Sequence, residues 1–580
     1  MTDRGLRERK DCFTTFDGTK LVYRSWIPEN PNGHALVLLH RGHEHSGRLT
    51  ELAEVFARDN YSCFAYDSRG HGESPGPKGY CENFSYLVKD LDRFVSYIST
   101  QYKIDITNII VLANSMSSVV TSVWVHDYAP KIRGMILVAP AFRIKLYVPF
   151  ALTGLRILQH FKTPLFIKSY VKSSLLTHDK DEQFKYNNDR LITKNISVNI
   201  LTGFFDAAKR IVSDAAAIET PTLILSAGSD WVVYLKDQKK FYDSLSSKIK
   251  EMEVYPNYYH GVLYEKEREV PIRKAQDFIS TLFKYKEDRS GLLNRDKEGP
   301  TKEEYDRLLS SPPPIKRIVY TMTRFFMSTL GKLSKGISIG IKYGYDSGLS
   351  LDHVYGNKAE GITPLGKLID YLYLNSVGWR GIRTRKSNLQ KLLDESIEKL
   401  VAQRKPIRIL DIASGPGRYL IETAKKFEDR NINILLCDNK QENIDKGQEL
   451  VRTSGAKNVV FKLNDAFDKS SYSKLNFMPN IVVISGLHEL FSDNQKVLES
   501  LNGVRSIAED ECTIIYTGQP WHPQLEFIAY TLKNREDKRW VMRRRNQAEL
   551  DYLYENSGFK KQDMEIDSWG IFTVSRALTQ

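Results

Sequence analysis

Short apolar runs rich in β-branched residues recur along the whole chain, and stretches of helical length separate them. Such runs predict strands buried on both faces of a parallel sheet, and the stretches between them predict its crossover helices. A hairpin with a turn at Asp17 and Gly18 precedes them. The pattern predicts an α/β protein with two doubly wound domains. The predicted strands lie at 35–39, 61–66, 108–113, 135–138, 222–226 and 253–255, and then at 407–411, 432–437, 480–485 and 513–516.

The length of the chain also predicts two large domains, because 580 residues are too many for one hydrophobic core. We assign residues 1–285 to the first domain, with a cap inserted at about 141–218. Residues 286–315 combine dense charge with a proline run and predict a linker. Residues 316–400 predict a basic, helical extension of the second domain, whose core is assigned to residues 401–580.

The composition, 41% hydrophobic and 27% charged, is ordinary for a globular protein. The cysteines are scattered, odd in number and without a C-x-x-C spacing, which favours a reducing compartment over a disulfide or zinc framework. No apolar signal-peptide region opens the chain, and no apolar run has the length of a membrane span. The sequence predicts a cytoplasmic protein and leaves open a peripheral position on the inner membrane face. The five cysteines are Cys12, Cys63, Cys81, Cys437 and Cys512.

The net charge of +13 favours anionic partners, either lipid headgroups or nucleic acid. Residues 312–342 contain no acidic residue, and cations there alternate with Ile, Val, Met and Phe. This pattern predicts a helix that contacts an anionic membrane surface. A helix packed on the next domain with solvated cations fits the same pattern equally well. The cap, which is apolar at 144–161, is a second candidate for membrane contact.

Ser115 stands where an apolar strand meets a helical stretch. Strand, sharp turn, serine and helix form the layout of a nucleophile elbow, in which the positions two before and two after the serine must be small. They are Ala113 and Ser117 here, where glycine is usual. An ordinary buried serine at a helix start is the alternative.

Two motifs precede Ser115, each at the end of a predicted strand. HRGHEHSGR occupies 40–48, and DSRGHGES occupies 67–74. Although four histidines lie between 34 and 45, no carboxylate cluster supports a metal site, and none is predicted. In order and spacing, the motifs and the serine turn resemble the monoacylglycerol lipase and lysophospholipase branch of the α/β-hydrolases, of the serine aminopeptidase S33 type.

This resemblance implies a capped α/β-hydrolase that cleaves acyl esters with Ser, Asp and His in that chain order. Ser115 is then the nucleophile, Asp230 the acid and His260 the base. The imidazole would take the serine proton, and the carboxylate would hold the imidazole in the productive tautomer. The backbone N–H groups of Gly42 and Met116 would form the oxyanion hole.

Two departures from the family pattern bear on activity. Arg41 stands where the family has glycine, and the serine turn lacks both of its glycines. One interpretation is a reshaped oxyanion hole in a working hydrolase of monoacylglycerol-like or lysophospholipid-like esters. The alternative is an inactive binding module that presents a ligand to an active second domain.

The second half contains a strand followed by the glycine turn DIASGPGR at 411–418. A dinucleotide-binding turn would have a third glycine where Leu420 stands. With an acidic residue ending the next strand, the pattern resembles a class I S-adenosylmethionine-dependent methyltransferase with a Rossmann-like fold. The resemblance implies S-adenosylmethionine as cofactor, with roles for five residues. Asp411 would orient the turn and the methionine amine, Gly415 and Gly417 would let the cofactor approach, Asp438 would accept the ribose hydroxyls, and Asp465 would hold the adenine amine.

A candidate methyl-acceptor site follows the fourth strand of this half, at Gly486, His488 and Glu489. The alternative for His488 and Glu489 is a capped loop with a satisfied histidine. Three adjacent arginines at 543–545 suggest nucleic acid, but such a run is more often a solvated face. Without an RNA-binding or helix-turn-helix signature, no nucleic-acid partner is expected, and nucleic-acid methylation is the weaker alternative.

The order of these parts is similar to the bacterial family of bifunctional α/β-hydrolases and class I methyltransferases. The resemblance implies a lipid-modifying enzyme that acts on a small-molecule or lipid substrate. The sequence predicts neither the methyl acceptor, nor the acyl chain, nor the oligomeric state.

Overall fold

A computed structural model describes residues 8–148, 151–161, 164–286 and 288–580. The chain forms two compact units that divide between residues 287 and 288. The first unit therefore ends almost where the first predicted domain, 1–285, ends.

The first unit is built on an eight-stranded sheet in the order β1-β2-β4-β3-β5-β6-β9-β10. β1, β2 and β4 pair antiparallel, and the rest of the sheet is parallel. β7 and β8 form a separate antiparallel pair. The strands are β1 Glu8–Thr14, β2 Lys20–Trp26, β3 Ala35–Leu39, β4 Ser62–Tyr66, β5 Ile109–Asn114, β6 Gly134–Val138, β7 Phe166–Lys168, β8 Asn195–Ser197, β9 Thr222–Ala227 and β10 Lys250–Tyr255.

Helices cover both faces of this sheet and form the cap. The apolar side chains of β3 and β5 alternate between the faces, and Leu36, Leu38, Ile110 and Leu112 share one core with α1 and α8. The insertion between β6 and β9 contains α4, α5 and α6 with the β7–β8 pair, in the place predicted for the cap. The helices are α1 Thr50–Arg58, α2 Phe84–Tyr102, α3 Met116–Tyr128, α4 Ala151–Phe161, α5 Lys180–Asn188, α6 Val198–Ser213, α7 Leu235–Ser244 and α8 Glu269–Lys284.

The second unit contains a seven-stranded sheet in the order β13-β12-β11-β14-β15-β17-β16. β17 is antiparallel to both of its neighbours, and the other pairs are parallel. The strand order reverses between β11 and β14, and ligands of such sheets bind at the carboxyl ends of the strands at this point. The strands are β11 Ile407–Asp411, β12 Ile432–Asp438, β13 Val459–Leu463, β14 Ile481–Ile484, β15 Thr513–Gly518, β16 Phe559–Ile566 and β17 Thr573–Thr579.

Helices precede this sheet and alternate with its strands. The predicted amphipathic helix at 388–403 is the second half of one long helix, α14, whose Leu389, Leu393 and Ile397 are buried. The helices are α9 Pro300–Leu309, α10 Pro314–Ser328, α11 Lys335–Tyr343, α12 Gly348–Gly356, α13 Pro364–Leu374, α14 Val377–Ala402, α15 Arg418–Lys426, α16 Gln441–Ser454, α17 Lys469–Ser473, α18 Asn494–Arg505, α19 Leu525–Thr531 and α20 Gln547–Asn556.

The predicted linker at 286–315 is wrong for most of its length. α9 lies within this segment, and its Thr301 and Leu308 are buried in the second unit. Further along the chain, Arg543 donates to Thr301 Oγ1 over 3.2 Å, and Arg544 pairs with Glu304. The charge that indicated a linker therefore pairs in part with arginines that are remote in sequence.

The interpretation of the arginines at 543–545 as a solvated or nucleic-acid-binding face is also wrong. Their exposed fractions are 1%, 8% and 4%. Arg543 donates to Glu549 Oε1 over 2.6 Å, and Arg545 donates to the carbonyl of His488 over 2.7 Å. Buried carboxylate and carbonyl partners explain how three adjacent cations are tolerated inside the protein.

Helix α10 combines features of both alternatives predicted for 312–342. One side packs on α19, where Tyr320 stacks on Tyr530 at 5.4 Å and Lys316 pairs with Glu526 at 2.8 Å. The other side is apolar and exposed: Met322 and Phe325 are 68% and 70% accessible. No helix in the described ranges is both long and apolar enough to cross a membrane.

Candidate active sites

Ser115 lies in the sharp turn between β5 and α3. Its backbone has φ 54° and ψ −110°, a conformation that costs energy for a residue with a side chain and is typical of functional sites. Ala113 and Ser117 are both buried, and Ser117 Oγ donates to the His40 carbonyl over 2.6 Å. Two small residues therefore replace the usual glycines without opening the turn.

The three residues predicted as a triad lie together. Ser115 Oγ is 2.8 Å from His260 Nε2, and His260 Nδ1 is 2.8 Å from Asp230 Oδ2. The other carboxylate oxygen of Asp230 accepts from the N–H groups of Val232 and Val233 over 2.7 and 2.9 Å. Burial acts to raise the pKa of Asp230, but His260 and these N–H groups hold it below its ordinary value. The geometry is that of a serine nucleophile, an imidazole base and an orienting carboxylate.

Gly42 and Met116 line the same cavity as Ser115 and His260. Met116 is the first residue of α3, so its N–H group has no hydrogen-bond acceptor within the helix. A Cβ added to Gly42 would lie 3.8 Å from Met116 Cβ, which places the two backbone segments side by side. This juxtaposition is the one that a two-donor oxyanion hole needs.

Arg41, the departure from the family pattern, is neutralised within its own loop. Its guanidinium donates to both oxygens of Glu44, over 3.1 and 2.5 Å, and lies 4.3 Å from the centre of the Tyr264 ring. Both charged side chains are buried. Arg41 also lines the cavity but leaves the contact between Ser115 and His260 intact.

The cavity beside Ser115 has a volume of about 150 Å³ and is mostly apolar. The cap supplies much of its wall through β7, β8 and α6. An apolar cavity that ends at the nucleophile suits an acyl chain, whose burial is favourable in proportion to its apolar area. Its apolar lining includes Ile144, Leu146, Ile167, Val171, Leu176, Ile196, Ile200 and Leu201.

In the second unit, the glycine turn between β11 and α15 borders a cavity of about 90 Å³ at the carboxyl ends of the strands. Gly415 and Gly417 have φ of +55° and +70°. Asp438 lines the cavity and accepts from Gly415 N–H over 2.9 Å and Asn443 Nδ2 over 3.0 Å. Asp465 lines it too, after β13, and accepts from the Phe467 N–H.

Asp411 supports the turn from behind. It accepts from the Ala413 N–H over 3.0 Å and from the Tyr419 hydroxyl, and it is not among the described residues that line the cavity. Burial raises the pKa of its carboxyl to about 7. Of the two roles predicted for Asp411, the geometry supports the orientation of the turn.

A second, larger chamber of about 360 Å³ adjoins this cavity. The two share wall residues, among them Arg385 and Gly486. Glu489 also lines the chamber, so two of the three candidate methyl-acceptor residues lie at or near the junction. The remaining wall is largely apolar and includes Phe326, Trp379, Ile382, Phe527, Trp540 and Phe572.

His488, the third candidate residue, is placed elsewhere. Its ring nitrogens lie 3.3 Å from Ser500 Oγ and 3.0 Å from the Tyr554 hydroxyl, and the residue is 1% exposed. Burial lowers its pKa to about 3. It lines neither the glycine-turn cavity nor the chamber. His488 is thus the satisfied core histidine that the alternative described.

Arg385 lines both spaces but is absent from the site predicted from the sequence. It is 3% exposed, lies over the Phe572 ring at 5.4 Å, and its Nη1 is 3.6 Å from Glu489 Oε1. The available signal was its spacing from Trp379 and Ile382, which places all three on one face of α14. Among the described residues, no group of three or more His, Cys, Asp or Glu side chains could hold a metal ion.

The folds and sites define a serine-hydrolase-type α/β domain followed by a Rossmann-like domain with a glycine-turn pocket. Residues 275–579 match the model of a family described as "Putative methyltransferase", and residues 30–267 match one described as "Serine aminopeptidase, S33". The chain belongs to the former family, and the α/β-hydrolase domain that precedes the residues matched by this family is similar to monoglyceride lipases.

Two curated relatives agree with this division. "Uncharacterized protein YnbC" of Escherichia coli (strain K12) is 42% identical over 98% of this chain and 97% of its own length. The monoglyceride lipase of Rattus norvegicus is 28% identical over 44% of this chain and 84% of the relative. Among solved structures, the monoacylglycerol lipase of Paleococcus ferrophilus covers 48% of this chain and 99% of its own, at 22% identity and a TM-score of 0.41.

Proposed function

We propose that this chain is a bifunctional enzyme of lipid metabolism. Its first unit hydrolyses an acyl ester of monoacylglycerol or lysophospholipid type, and its second transfers a methyl group from S-adenosylmethionine. The observation that carries the proposal is the hydrogen-bonded series Ser115, His260 and Asp230 at the floor of an apolar cavity. The similarity of a stretch of 260 residues to a monoglyceride lipase supports the ester class.

In the proposed hydrolysis, His260 takes the proton of Ser115 as the serine oxygen attacks the ester carbonyl. Asp230 keeps His260 Nδ1 protonated, so that Nε2 is free to act as the base. The N–H groups of Gly42 and Met116 bind the negative oxygen that develops. His260 then protonates the leaving alcohol, and water releases the acid from Ser115 by the same steps in reverse order.

The glycine turn fits S-adenosylmethionine, which when bound supplies an electrophilic methyl group. Gly415 and Gly417 place no side chain at their two positions in the turn, and a Cβ on Gly417 would come within 2.5 Å of Leu436. Asp438 lines the cavity, and its carboxylate oxygens can accept further hydrogen bonds from ribose hydroxyls. Asp465 stands at the end of β13, where a carboxylate can accept from the adenine amine.

An anionic membrane is the proposed partner, and we expect the protein in the cytoplasm at the inner membrane face. The outer side of α10 supports this, because Ile315, Ile318, Met322 and Phe325 are each at least 63% exposed, and Arg317 and Lys332 are exposed as well. A single helix with an apolar outer face and flanking cations suits the boundary between headgroups and acyl chains.

Activity-based labelling tests the hydrolase. A fluorophosphonate should label the full-length protein, and Ser115→Ala should abolish both the labelling and the hydrolysis of a medium-chain p-nitrophenyl ester. Ser244→Ala, an exposed serine at the end of α7, should leave both unchanged. Absence of labelling in folded protein would favour the alternative of an inactive binding module.

Calorimetric titration with S-adenosylmethionine tests the second unit in the same preparations. Asp438→Ala should weaken binding by at least tenfold, since it removes the acceptor for the ribose and the partner of the Gly415 N–H. Asp429→Ala, on a side chain that is 71% exposed, is the matched control. Unchanged affinity in Asp438→Ala would reject the glycine-turn cavity as the cofactor site.

A further inference from the structure

The apolar chamber of the second unit contains buried polar atoms that lack partners. Arg385 Nε, Glu489 Oε2, Trp540 Nε1 and the Tyr373 hydroxyl form no hydrogen bond within the described part of the chain. All four residues line the chamber. Because buried polar groups are nearly always paired, several unpaired groups on one cavity wall point to a ligand that completes them.

Glu489 is the most informative of these groups because its other oxygen is fixed. Thr517 Oγ1 donates to Glu489 Oε1 over 2.6 Å. Thr517 Oγ1 itself accepts from the Gly486 N–H over 2.8 Å, so its proton is committed to Glu489. The carboxylate is therefore held in one orientation, with Oε2 left as an acceptor.

The junction with the glycine-turn cavity lies at these residues. Arg385 and Gly486 belong to the walls of both spaces. A Cβ added to Gly486 would lie 3.3 Å from Arg385 Nη2, so the guanidinium passes directly over this glycine. A ligand group held by Arg385 and Glu489 would consequently lie at the entrance to the glycine-turn cavity.

The charges around the chamber indicate an uncharged ligand. Its titratable side chains include Arg385, Glu489, Asp346 and His522. Burial lowers the pKa of His522 to about 4 and raises those of Asp346 and Glu489. A carboxylate ligand would face Glu489 without a proton to donate, and an ammonium ligand would face Arg385. A hydroxyl both donates and accepts, so it is the uncharged group that matches an unpaired acceptor, Glu489 Oε2, and an unpaired donor, Arg385 Nε.

We propose that this chamber is the methyl-acceptor site and that its ligand is an uncharged amphiphile with a hydroxyl group on an apolar body. This inference rests on the proposed methyltransferase function. The volume of about 360 Å³ lies in the range of ligand pockets, and the aromatic wall buries the apolar body. Glu489 receives the hydroxyl proton, and Arg385 positions the hydroxyl oxygen.

The proposed transfer balances without a further reactant. A bond forms between the acceptor oxygen and the methyl carbon, and the bond from that carbon to the cofactor sulfur breaks, with its electron pair remaining on sulfur. The hydroxyl proton passes to Glu489 Oε2. The product is a methyl ether.

Calorimetric titration of the full chain with three probes that each carry a ten-carbon chain tests the chamber. The probes are 1-decanol, sodium decanoate and decyl methyl ether, which share an apolar body but differ in donating a hydrogen bond and in charge. We expect 1-decanol to bind at least tenfold more tightly than either of the others. Equal or tighter binding of decanoate or of the ether would overturn the proposal, as would failure of 1-decanol to bind.

Glu489→Gln should change the order in which the chamber binds the probes, a change that a merely structural role of Glu489 would not produce. Because Thr517 donates its proton, the glutamine must turn its carbonyl oxygen toward Thr517 and its NH₂ group toward the chamber. The preference for 1-decanol over decyl methyl ether should then disappear or invert. Glu449→Gln, on an exposed side chain of α16, should keep the wild-type order. An unchanged order in folded Glu489→Gln protein would refute the role of Glu489.

Titration with S-adenosylmethionine separates this inference from the proposed function. If the chain binds the probes in the expected order but not the cofactor, the methyltransferase function fails while the amphiphile site stands. If it binds the cofactor but not 1-decanol, the acceptor assignment fails alone. Transfer of a labelled methyl group to 1-decanol, lost in Glu489→Gln, would support both.

Discussion

At the scale of single residues, the departures from the family pattern at Ser115 and Arg41 are absorbed locally. Ala113 and Ser117 are small enough for the turn, and Arg41 is paired with Glu44 inside the loop. Breaking such a buried pair on one side costs about 3–5 kcal/mol, which explains why Arg41 and Glu44 belong together in this loop. The sequence shows that residue 41 is an arginine but not where its side chain points. The effect of Arg41 on the oxyanion hole was therefore not predictable.

Asp230 should control the tautomer of His260 more than the stability of the fold. In Asp230→Asn, the N–H groups of Val232 and Val233 would hold the amide oxygen, and the amide NH₂ would face His260 Nδ1. His260 would then carry its proton on Nε2 and could not accept from Ser115. We expect kcat for ester hydrolysis to fall by about 10⁴-fold.

Ester hydrolysis and thermal unfolding, measured on the same Asp230→Asn sample, check this prediction. The melting temperature should change little, because both backbone contacts persist. Asp237→Asn, on α7, serves as the matched control and should retain wild-type turnover. A drop of less than tenfold in Asp230→Asn would contradict the assigned role of Asp230.

Residues marked by a local strand pattern, or by the family resemblance as Asp230 and His260 were, were the predictable ones. The strands that present Ser115, Asp438 and the glycine turn are local patterns, and their positions follow from them. The sequence could not decide between the two interpretations of His488, and Arg543 was misjudged, because their partners, Tyr554 and Thr301, lie 66 and 242 positions away. The sequence alone does not tell whether a histidine or an arginine is buried or solvated, because this depends on how the chain packs.

At the scale of elements, α10 is the helix whose pattern allowed two interpretations. Its packed side contacts α19, and its outer side carries Met322 and Phe325. The periodicity alone could not separate these sides, because both contain apolar residues. The side that packs is decided by Tyr530 and Glu526, which are some two hundred residues away.

Vesicle sedimentation tests the outer side of α10. The double variant Met322→Asp/Phe325→Asp should weaken binding to phosphatidylglycerol vesicles by at least tenfold, since it removes apolar burial and adds charge of the sign that anionic lipids repel. Binding of the wild type should also weaken as salt is raised. Phe184→Asp, which changes a 69% exposed residue on α5, should bind as the wild type does. Equal binding of all three proteins would reject α10 as the contact.

At the scale of the whole molecule, the two units differ in how their sites are built. The residues of the hydrolase site follow the carboxyl ends of β5, β9 and β10, and the cap covers the site. In the second unit, the helices before the sheet form the chamber, since α10, α13 and α14 all contribute wall residues. The segment from 288 to 400 is therefore part of the second site as well as of the second fold.

A comparison of two fragments, 288–580 and 316–580, tests where the second unit begins. The first keeps α9, and the second begins where the charge pattern places the end of a linker. Removal of α9 would expose the apolar site in which Leu308 is now buried. It would also leave Arg543 without its contact to Thr301 and Arg544 without its partner Glu304. Because loss of one partner from a buried ion pair costs about 3–5 kcal/mol, the shorter fragment should be less stable by at least about 3 kcal/mol.

Urea unfolding followed by circular dichroism measures this difference, and S-adenosylmethionine titration shows whether each fragment keeps its cavity. We expect fragment 288–580 to unfold in a single transition and to bind the cofactor as the full chain does. Glu303→Gln in that fragment, on an α9 carboxylate beside the paired Glu304, controls for the charge of the segment itself. Equal stability of the two fragments would mean that 286–315 acts as the linker its composition predicted, and that the arginines at 543–545 find sufficient partners without α9.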